Sequence, residues 1–283
     1  MKKPLLIAVV GPTASGKTAL AIDLALQHQT EIISFDSRQC YQELKIGVAR
    51  PDDQELQTVP HHFIASHSIH QPISAGQYPA FAWPILHHLL TSHDTLVAVG
   101  GSGLFLKVLL DGLDPLPSDE NIRKEWELQW EEKGLAFLQR SLEHKDPEYF
   151  LQVDRDNPHR LLRALEVITI TGKKFSALRT QNKQTLPFDV EYRYVQPEKN
   201  ILHERIDQRV EKMIDNGLLQ EAESLLAYRQ LQPLNTVGYK ELFEFMDGLH
   251  TLSEAIELIK THTRQYAKRQ LTWFNKEVAG ARS

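Results

Sequence analysis

Cysteine is almost missing from this 283-residue chain, which has only Cys40. One cysteine excludes an internal disulfide and suits a reducing compartment. Long apolar runs are missing as well, so we expect no membrane-spanning segment. The six apolar residues at 5–10 are too few for a signal peptide, and we expect none.

The chain also lacks an excess of positive charge, since its formal net charge is −5. This balance argues against a uniformly basic nucleic-acid binder. The charge is unevenly distributed, however: residues 155–183 include 7 basic and 2 acidic residues, and residues 259–283 include 6 basic and 1 acidic residue. Composition alone leaves open whether these stretches contact phosphates or form solvated helix faces.

What the chain does contain is a phosphate-binding motif, the P-loop, which consists of Gly11, Pro12, Thr13, Ala14, Ser15, Gly16, Lys17 and Thr18. Its glycines let backbone N–H groups approach an anion, Lys17 supplies a positive charge, and the Thr18 hydroxyl can hold Mg²⁺. An apolar run that is typical of a buried strand precedes the motif, and a helical pattern follows it. The motif therefore has the strand–loop–helix context that a P-loop requires.

Two further buried strands are predicted, at 31–36 and 95–101. The first ends in Asp36, which should lie beside the P-loop because parallel strands present their carboxyl ends at one edge. There it could pair with Mg²⁺, accept a hydrogen bond or proton from an attacking group, or cap the next turn. The second strand ends in Gly100 and Gly101. Switch and motor NTPases normally place an aspartate there, so we favour a transferase that acts on a second substrate.

The remaining pattern predicts an α/β fold in which a P-loop NTPase-like parallel sheet core carries a helical insertion domain. Residues 118–186 lack convincing strands, so we assign 1–117 and 187–283 to the core domain and 118–186 to the insertion. A helix at 201–216 places Arg205 and Arg209 on one face. These arginines either close over a diphosphate or form surface ion pairs.

Short motifs along nearly the whole chain resemble the tRNA dimethylallyltransferase (tRNA isopentenyltransferase) family. Besides the P-loop, they are Asp-Ser-Arg-Gln-Cys-Tyr at 36–41, Gly-Val-Ala-Arg-Pro at 47–51, His-His-Phe at 61–63, Ser-Ala-Gly at 74–76, Gly-Gly-Ser-Gly-Leu-Phe at 100–105, Pro-Leu-Pro at 115–117, Asn-Pro-His-Arg-Leu-Leu-Arg-Ala-Leu-Glu at 157–166, Val-Gly-Tyr-Lys-Glu at 237–241 and Lys-Arg-Gln-Leu-Thr-Trp-Phe at 268–274. They occur in the order that the family has them.

The resemblance implies transfer of the dimethylallyl group from dimethylallyl diphosphate to N6 of the adenosine beside the anticodon, with release of diphosphate. It implies that the P-loop residues bind the diphosphate and that Mg²⁺ is a cofactor held near Thr18. Asp36 would accept a hydrogen bond or proton from the adenine amine. Arg209, with Arg205 as a partner or alternative, would stabilise the leaving diphosphate.

The resemblance also implies a surface for the anticodon stem-loop of tRNA. Its predicted residues are Asp36, Ser37, Arg38, Gln39, Ser102, Arg123, His159, Arg160, Leu161, Leu162, Arg163, Gly238, Tyr239, Lys268, Arg269 and Gln270. We expect a cytoplasmic monomer that contacts no membrane. Two other functions fit the P-loop: an ATP-dependent small-molecule or nucleoside kinase with Asp36 as base, and an RNA-binding protein without catalytic activity.

Overall fold

The structure, a computed structural model, describes residues 3–114, 116–179 and 184–281. Its contacts divide the chain into two compact units. The core unit comprises Met1–Leu110 and Thr185–Ser283, and the helical unit comprises Asp111–Gln184. The sequence-based assignment placed the insertion at 118–186. Pro115 of the 115–117 motif, and Lys183 and Ser283 at the ends of the two basic stretches, lie outside the described residues.

In the part of the chain that the structure describes, five strands form one sheet: β1 (Leu5–Val10), β2 (Ile32–Ser34), β3 (His61–His62), β4 (Thr95–Gly100) and β5 (Asp189–Tyr194). They pair in parallel in the order β3-β2-β4-β1-β5. This topology confirms the predicted α/β fold class. The sequence did not indicate the short strand β3, because two residues are too few to show a period.

The described helices are numbered in chain order and are interspersed with the strands. They are α1 (Lys17–Gln27), α2 (Asp53–Thr58), α3 (Tyr78–Leu89), α4 (Gly103–Asp111), α5 (Glu120–Lys133), α6 (Leu135–Lys145), α7 (Pro147–Gln152), α8 (Pro158–Thr171), α9 (Phe175–Leu178), α10 (Lys199–Asp215), α11 (Leu218–Leu225), α12 (Tyr239–Met246) and α13 (Leu252–Ala281). Short 3-10 turns lie at Leu226–Tyr228 and Gln232–Leu234. None of the described helices is long and apolar enough to cross a membrane.

Helices cover both faces of the sheet, which explains why its central strands are apolar throughout. On one face, Ile7 and Val9 pack with Ala21 and Ala25 of α1, whose small side chains let the helix lie close to the strands. The other face of β1 packs into a larger core with residues of α3, α4 and α13. Because both faces are buried, β1 and β4 are held in one register, from the Leu5–Thr95 pair to the Val10–Gly100 pair.

The long helix α13 is bound to α10 by ion pairs. The Arg264 guanidinium lies 2.5 Å from Asp207 Oδ1, and Lys260 Nζ lies 3.0 Å from Glu211 Oε1. These two basic side chains of the 259–283 stretch therefore have acidic partners within the core unit. Asp207 and Glu211 of α10 thus form ion pairs with α13. They are two of the acidic residues with which Arg205 and Arg209 could have formed surface ion pairs.

The helical unit has its own apolar core, in which α6 packs on α8. Leu161 and Leu162 belong to this core and are 0% and 3% exposed. Their burial corrects the prediction that they contact tRNA, since the side chains do not reach the surface. The error has a simple cause, because the motif that carries them mixes core and surface positions of one amphipathic helix.

A buried carboxylate, Glu166 of α8, organises the polar side of this unit. It accepts hydrogen bonds from the Arg123 and Arg163 guanidinium groups at 2.8 and 2.9 Å and from Asp119 N at 2.9 Å. Burial raises the pKa of Glu166, but these hydrogen bonds outweigh it and hold the pKa below its ordinary value. Arg123 and Arg163, which were predicted to face tRNA, are thus tied to a structural carboxylate.

We predict that Glu166→Gln loosens the helical unit, because two arginines lose their counter-charge. In the intact protein, hydrogen-exchange protection of α8 amides should fall by about 2 kcal/mol at pH 7. The wild-type contribution is present above the ordinary glutamate pKa of about 4.3 and is lost as the pH falls through the lower pKa of Glu166. Glu132→Gln, at a 74% exposed side chain, is the matched control and should change nothing. Equal protection in both variants would contradict this role for Glu166.

Candidate active site

Three strand ends meet at the carboxyl edge of the sheet. The P-loop follows β1, Asp36 lies just after β2, and Gly101 follows β4. Together with α10, α12 and α13 they enclose a cavity of about 710 Å³. Many of the predicted site residues line it: Thr13, Ala14, Ser15, Gly16, Lys17, Thr18, Asp36, Ser37, Arg38, Gln39, Arg209, Gly238, Arg269 and Gln270.

The P-loop backbone has the form of an anion site. Gly16 adopts a left-handed conformation (φ 93°) and precedes α1, so the first N–H groups of the helix are free of intrahelical partners. Ala14 also has a positive φ, of 59°. Lys17 Nζ donates to Pro12 O at 2.5 Å, which folds the side chain back over the loop. A helix N-terminus of this kind attracts phosphate groups.

Lys17 and Arg209 are neighbouring cations in this cavity. Burial lowers the pKa of Lys17 to about 7, and the neighbouring Arg209 lowers it further while Asp36 opposes the shift. Burial likewise lowers the pKa of Arg209, against the attraction of Asp36 and Glu55. Positive charge is therefore held where water solvates it poorly, and an anion with several charges would relieve the cost.

Asp36 performs the capping role that the sequence offered as one alternative. Its Oδ1 accepts from Arg38 N at 2.9 Å and from Gln39 N at 3.2 Å, which fixes the turn after β2. Oδ2 is not used in these bonds and lies on the side of Gly101, in the cavity wall. Capping and a role toward a bound ligand are therefore compatible for this one carboxylate.

The two arginines of α10 have different surroundings. Arg209 lines the cavity beside Lys17 and Asp36. Arg205 is exposed, and its Nη1 donates to the backbone oxygen of Ser15 at 3.3 Å. Arg205 thus supports the P-loop from outside, whereas Arg209 is placed to meet a ligand.

The loop after Asp36 is fixed by internal hydrogen bonds. Ser37 N donates to Ser102 Oγ at 2.9 Å, and Ser102 Oγ donates to Ser37 Oγ at 2.9 Å. Gln39 Nε2 donates to Ala49 O at 2.8 Å, and Arg38 reaches the Gln232 carbonyl at 3.4 Å. These predicted tRNA residues therefore shape the cavity rim, whatever else they contact.

Tyr239 needs a correction, because its side chain is fully buried. Its hydroxyl donates to Glu221 Oε1 at 2.6 Å, and burial and Glu221 together raise its pKa. The same carboxylate accepts from the backbone N–H groups of Lys45, Ile46 and Gly47. Tyr239 thus anchors the 45–51 loop through Glu221, and its side chain does not reach the surface. Gly238 before it does line the cavity.

Helix α13 supplies one wall of the cavity. Burial and the nearby Asp36 raise the pKa of Tyr266 to about 12, and the Arg269 guanidinium lies 5.7 Å from the centre of its ring. His262 Nδ1 is 2.6 Å from Oε1 of the buried Glu241. This histidine–carboxylate pair was missed by the sequence analysis, since its members lie on different helices and form no local motif.

Other predicted tRNA residues are exposed. His159 and Arg160 lie on the surface of α8, and Lys268 lies on the surface of α13. Trp273, in the 268–274 motif, packs on Gly103: a Cβ there would lie 2.2 Å from its ring. Trp273 is therefore partly a core residue.

The donor set of the cavity suits Mg²⁺ in the way that P-loop sites do. Thr18, Ser34, Asp36 and Glu55 line the same space and carry side-chain oxygen atoms, which are the ligands that Mg²⁺ prefers. No group of three histidine, cysteine or acidic side chains among the described residues could hold a metal by itself. A Mg²⁺ ion here would thus need oxygen atoms from a bound phosphate as well, which is its usual arrangement.

We predict that Lys17→Met stabilises the ligand-free protein by up to about 4 kcal/mol at pH 7, because a poorly solvated ammonium group is removed. Since the wild-type pKa lies below that of an unfolded lysine, wild-type stability should rise with pH between about 7 and 10.4. The Met variant should lack this rise. Urea unfolding across this pH range measures both effects, and parallel curves for the two proteins would contradict the depressed pKa. Lys212→Met, at an exposed site on α10, is the control.

The chain is similar to several known proteins. A model of the family described as IPP transferase matches residues 39–277. The tRNA dimethylallyltransferase of Christiangramia forsetii is 46% identical over 273 residues, which cover 96% of this chain and 90% of that protein. The crystal structure of the full-length tRNA isopentenylpyrophosphate transferase from Bacillus halodurans has a TM-score of 0.69 and 34% identity, over 96% of this chain and 87% of that one. A eukaryotic dimethylallyltransferase acting on tRNA has the same fold, with a TM-score of 0.79 at 24% identity, over 96% of this chain and 70% of that one.

Proposed function

This chain belongs to the IPP transferase family, and we propose that it transfers the dimethylallyl group of dimethylallyl diphosphate to N6 of the adenosine beside the anticodon of tRNA, releasing diphosphate. The observation that carries the proposal is the cavity itself. One space holds a P-loop, the neighbouring Lys17 and Arg209 cations and a strand-end carboxylate. Those are the groups that a diphosphate leaving group and a nucleobase amine require.

The diphosphate would occupy the P-loop. Its charge would replace the contact between Lys17 Nζ and Pro12 O, and it would meet Arg209 and the N-terminus of α1. These groups stabilise the negative charge that grows as the carbon–oxygen bond breaks. Mg²⁺, held through Thr18 and the phosphates, would supply further charge neutralisation when bound.

An apolar part of the same cavity suits the dimethylallyl group. It is formed by Val210, Met213, Leu218, Val237 and Ile259, from α10, α11, α13 and the segment before α12. An allylic transition state with cationic character reacts with water, so the wall that holds it must be dry. We place the prenyl chain against these side chains.

The adenine amine would approach from the side of Asp36. An amine inside a stacked loop cannot reach the prenyl carbon, so the base must leave the stack and enter the cavity. The amine is a weak nucleophile, and a carboxylate that accepts its N–H orients it and takes the proton as the bond forms. Oδ2 of Asp36 is the atom we assign to this task, because Oδ1 already caps the turn.

One assay tests the proposal directly. Dimethylallyl diphosphate labelled in its prenyl group is incubated with unmodified tRNA and Mg²⁺, and the nucleosides are then separated. We expect label on the N6-prenylated adenosine beside the anticodon. Lys17→Ala and Thr18→Ala should each raise the activation barrier for transfer by about 2–4 kcal/mol, as loss of an oxyanion-hole donor does. A protein that is stabilised by ATP, ignores dimethylallyl diphosphate and leaves tRNA unlabelled would be a kinase instead.

Asp36→Asn separates the two roles of this carboxylate toward a ligand. The amide keeps the shape and can accept a hydrogen bond, but it cannot take a proton. We predict a fall in turnover on the order of 10²–10⁴-fold with nearly unchanged affinity for dimethylallyl diphosphate. Turnover is measured across a Mg²⁺ titration. Recovery of wild-type turnover at high Mg²⁺ would show that Asp36 serves the metal.

The exposed basic residues are assigned to the phosphate backbone of tRNA. Arg160→Ala and Lys268→Ala should each weaken tRNA binding and flatten its dependence on salt concentration, without changing affinity for the small diphosphate. Filter binding across a salt titration measures both. Lys212→Ala is the charge-matched control. If all three variants have the same salt slope as the wild type, these helix faces are merely solvated.

We further propose a monomeric enzyme of the cytoplasm. Its lone cysteine supports this compartment, since Cys40 is a free, buried thiol. Burial and the nearby Asp36 raise the pKa of Cys40 to about 12, so the thiol is a weak nucleophile despite its place beside the cavity.

A further inference from the structure

We propose that Gln270 is a positioning residue that fixes the P-loop in its ligand-binding conformation, and that it is not a contact of tRNA. Gln270, like Lys268 and Arg269, was predicted from the sequence to contact tRNA. In the structure, the exposure of Gln270 differs from that of the other two residues. Lys268 and Arg269 are exposed, whereas Gln270 is 6% exposed. The nature of the ligand rests on the proposed function.

The carboxamide of Gln270 joins two loops that follow neighbouring strands. Its Oε1 accepts from Thr13 N of the P-loop at 2.8 Å, and its Nε2 donates to Gly101 O, after β4, at 2.9 Å. Because one partner is an N–H and the other a carbonyl, a single orientation of the amide satisfies both. The group therefore sets the spacing between the two loops from the side of α13.

Gly101 makes room for this amide. A Cβ at position 101 would lie 2.3 Å from Gln270 Nε2, closer than two such atoms approach. The other atoms near it are more distant, with Asp36 Oδ2 at 3.9 Å. The glycine that follows β4, at the strand end where an aspartate is missing, thus allows a side chain from α13 to reach the loop backbone.

The P-loop needs such support because its conformation is costly alone. Ala14, next to Thr13, has a positive φ of 59°, which costs a residue with a side chain on the order of 1–3 kcal/mol. The hydrogen bond from Thr13 N fixes the Pro12–Thr13 peptide, which lies one peptide before this strained residue. A P-loop held in advance binds its anion without the entropy loss of ordering the loop.

The test compares Gln270→Leu with wild type, using inorganic pyrophosphate with Mg²⁺ as the probe of the P-loop. We expect its Kd, measured by calorimetry, to rise about tenfold, the effect of losing one buried hydrogen-bond partner. The KM for dimethylallyl diphosphate should rise in parallel, and the Kd for tRNA should stay within twofold. Lys268→Ala should show the opposite split. Gln220→Leu, at an exposed position of α11, is the matched control for the change of residue type.

Gly101→Ala provides a second route to the same state, because its methyl group displaces the amide. It should weaken pyrophosphate several-fold, and the double variant should be little worse than Gln270→Leu alone, since both changes remove one interaction. If Gln270→Leu loses its fold, Gly101→Ala alone decides the matter.

The proposal is overturned if Gln270→Leu raises the Kd for tRNA and leaves pyrophosphate binding unchanged, or if it alters neither. It is also overturned if the effects of the two substitutions add. Failure of the proposed function has another signature: the wild-type protein would then transfer no prenyl group, while the pyrophosphate measurements would still report on the contact between Gln270 and the P-loop.

Discussion

The burial of Lys17 beside Arg209 is the constraint on which the rest of this structure depends. Two cations in one poorly hydrated cavity are unfavourable by themselves, as the lowered pKa values of both groups indicate. The fold keeps them there because the P-loop, β2 and α10 are positioned by the apolar core on both faces of the sheet. The fold thus holds poorly solvated positive charge that a bound polyanion would stabilise, a common relation between stability and function.

The cavity combines parts from distant regions of the chain. The parallel register of β1 and β4 brings the P-loop and Gly101 to one edge, and α13 closes the space with Tyr266 and Gln270. Carboxylate side chains hold the segments that surround the cavity in place. Glu221 binds the 45–47 backbone and Tyr239, and Glu241 binds Gly238 N and His262. Carboxylates outside the P-loop therefore shape the cavity.

Sequence patterns predicted the parts of the structure whose conformation depends on residues close together in the chain. The P-loop and the strand just before Asp36 lie where the sequence indicated. Contacts between distant residues were missed. Thr13 and Gln270 are 257 positions apart, and no residue pattern records such a partner. Mixed motifs caused the errors at Leu161, Leu162 and Tyr239, because one run of residues serves both the core and the surface.

We expect a substantial fraction of Lys17 side chains to be uncharged at pH 7 in the free protein and to become charged when a diphosphate binds. Nuclear magnetic resonance of lysine side chains, labelled with ¹³C at the ε carbon, measures its pKa directly in the free protein and with pyrophosphate and Mg²⁺ bound. Lys17→Met assigns the signal. The account predicts a pKa of about 7 in the free protein, rising towards the ordinary lysine value of about 10.4 on binding. An ordinary pKa in both states would contradict it.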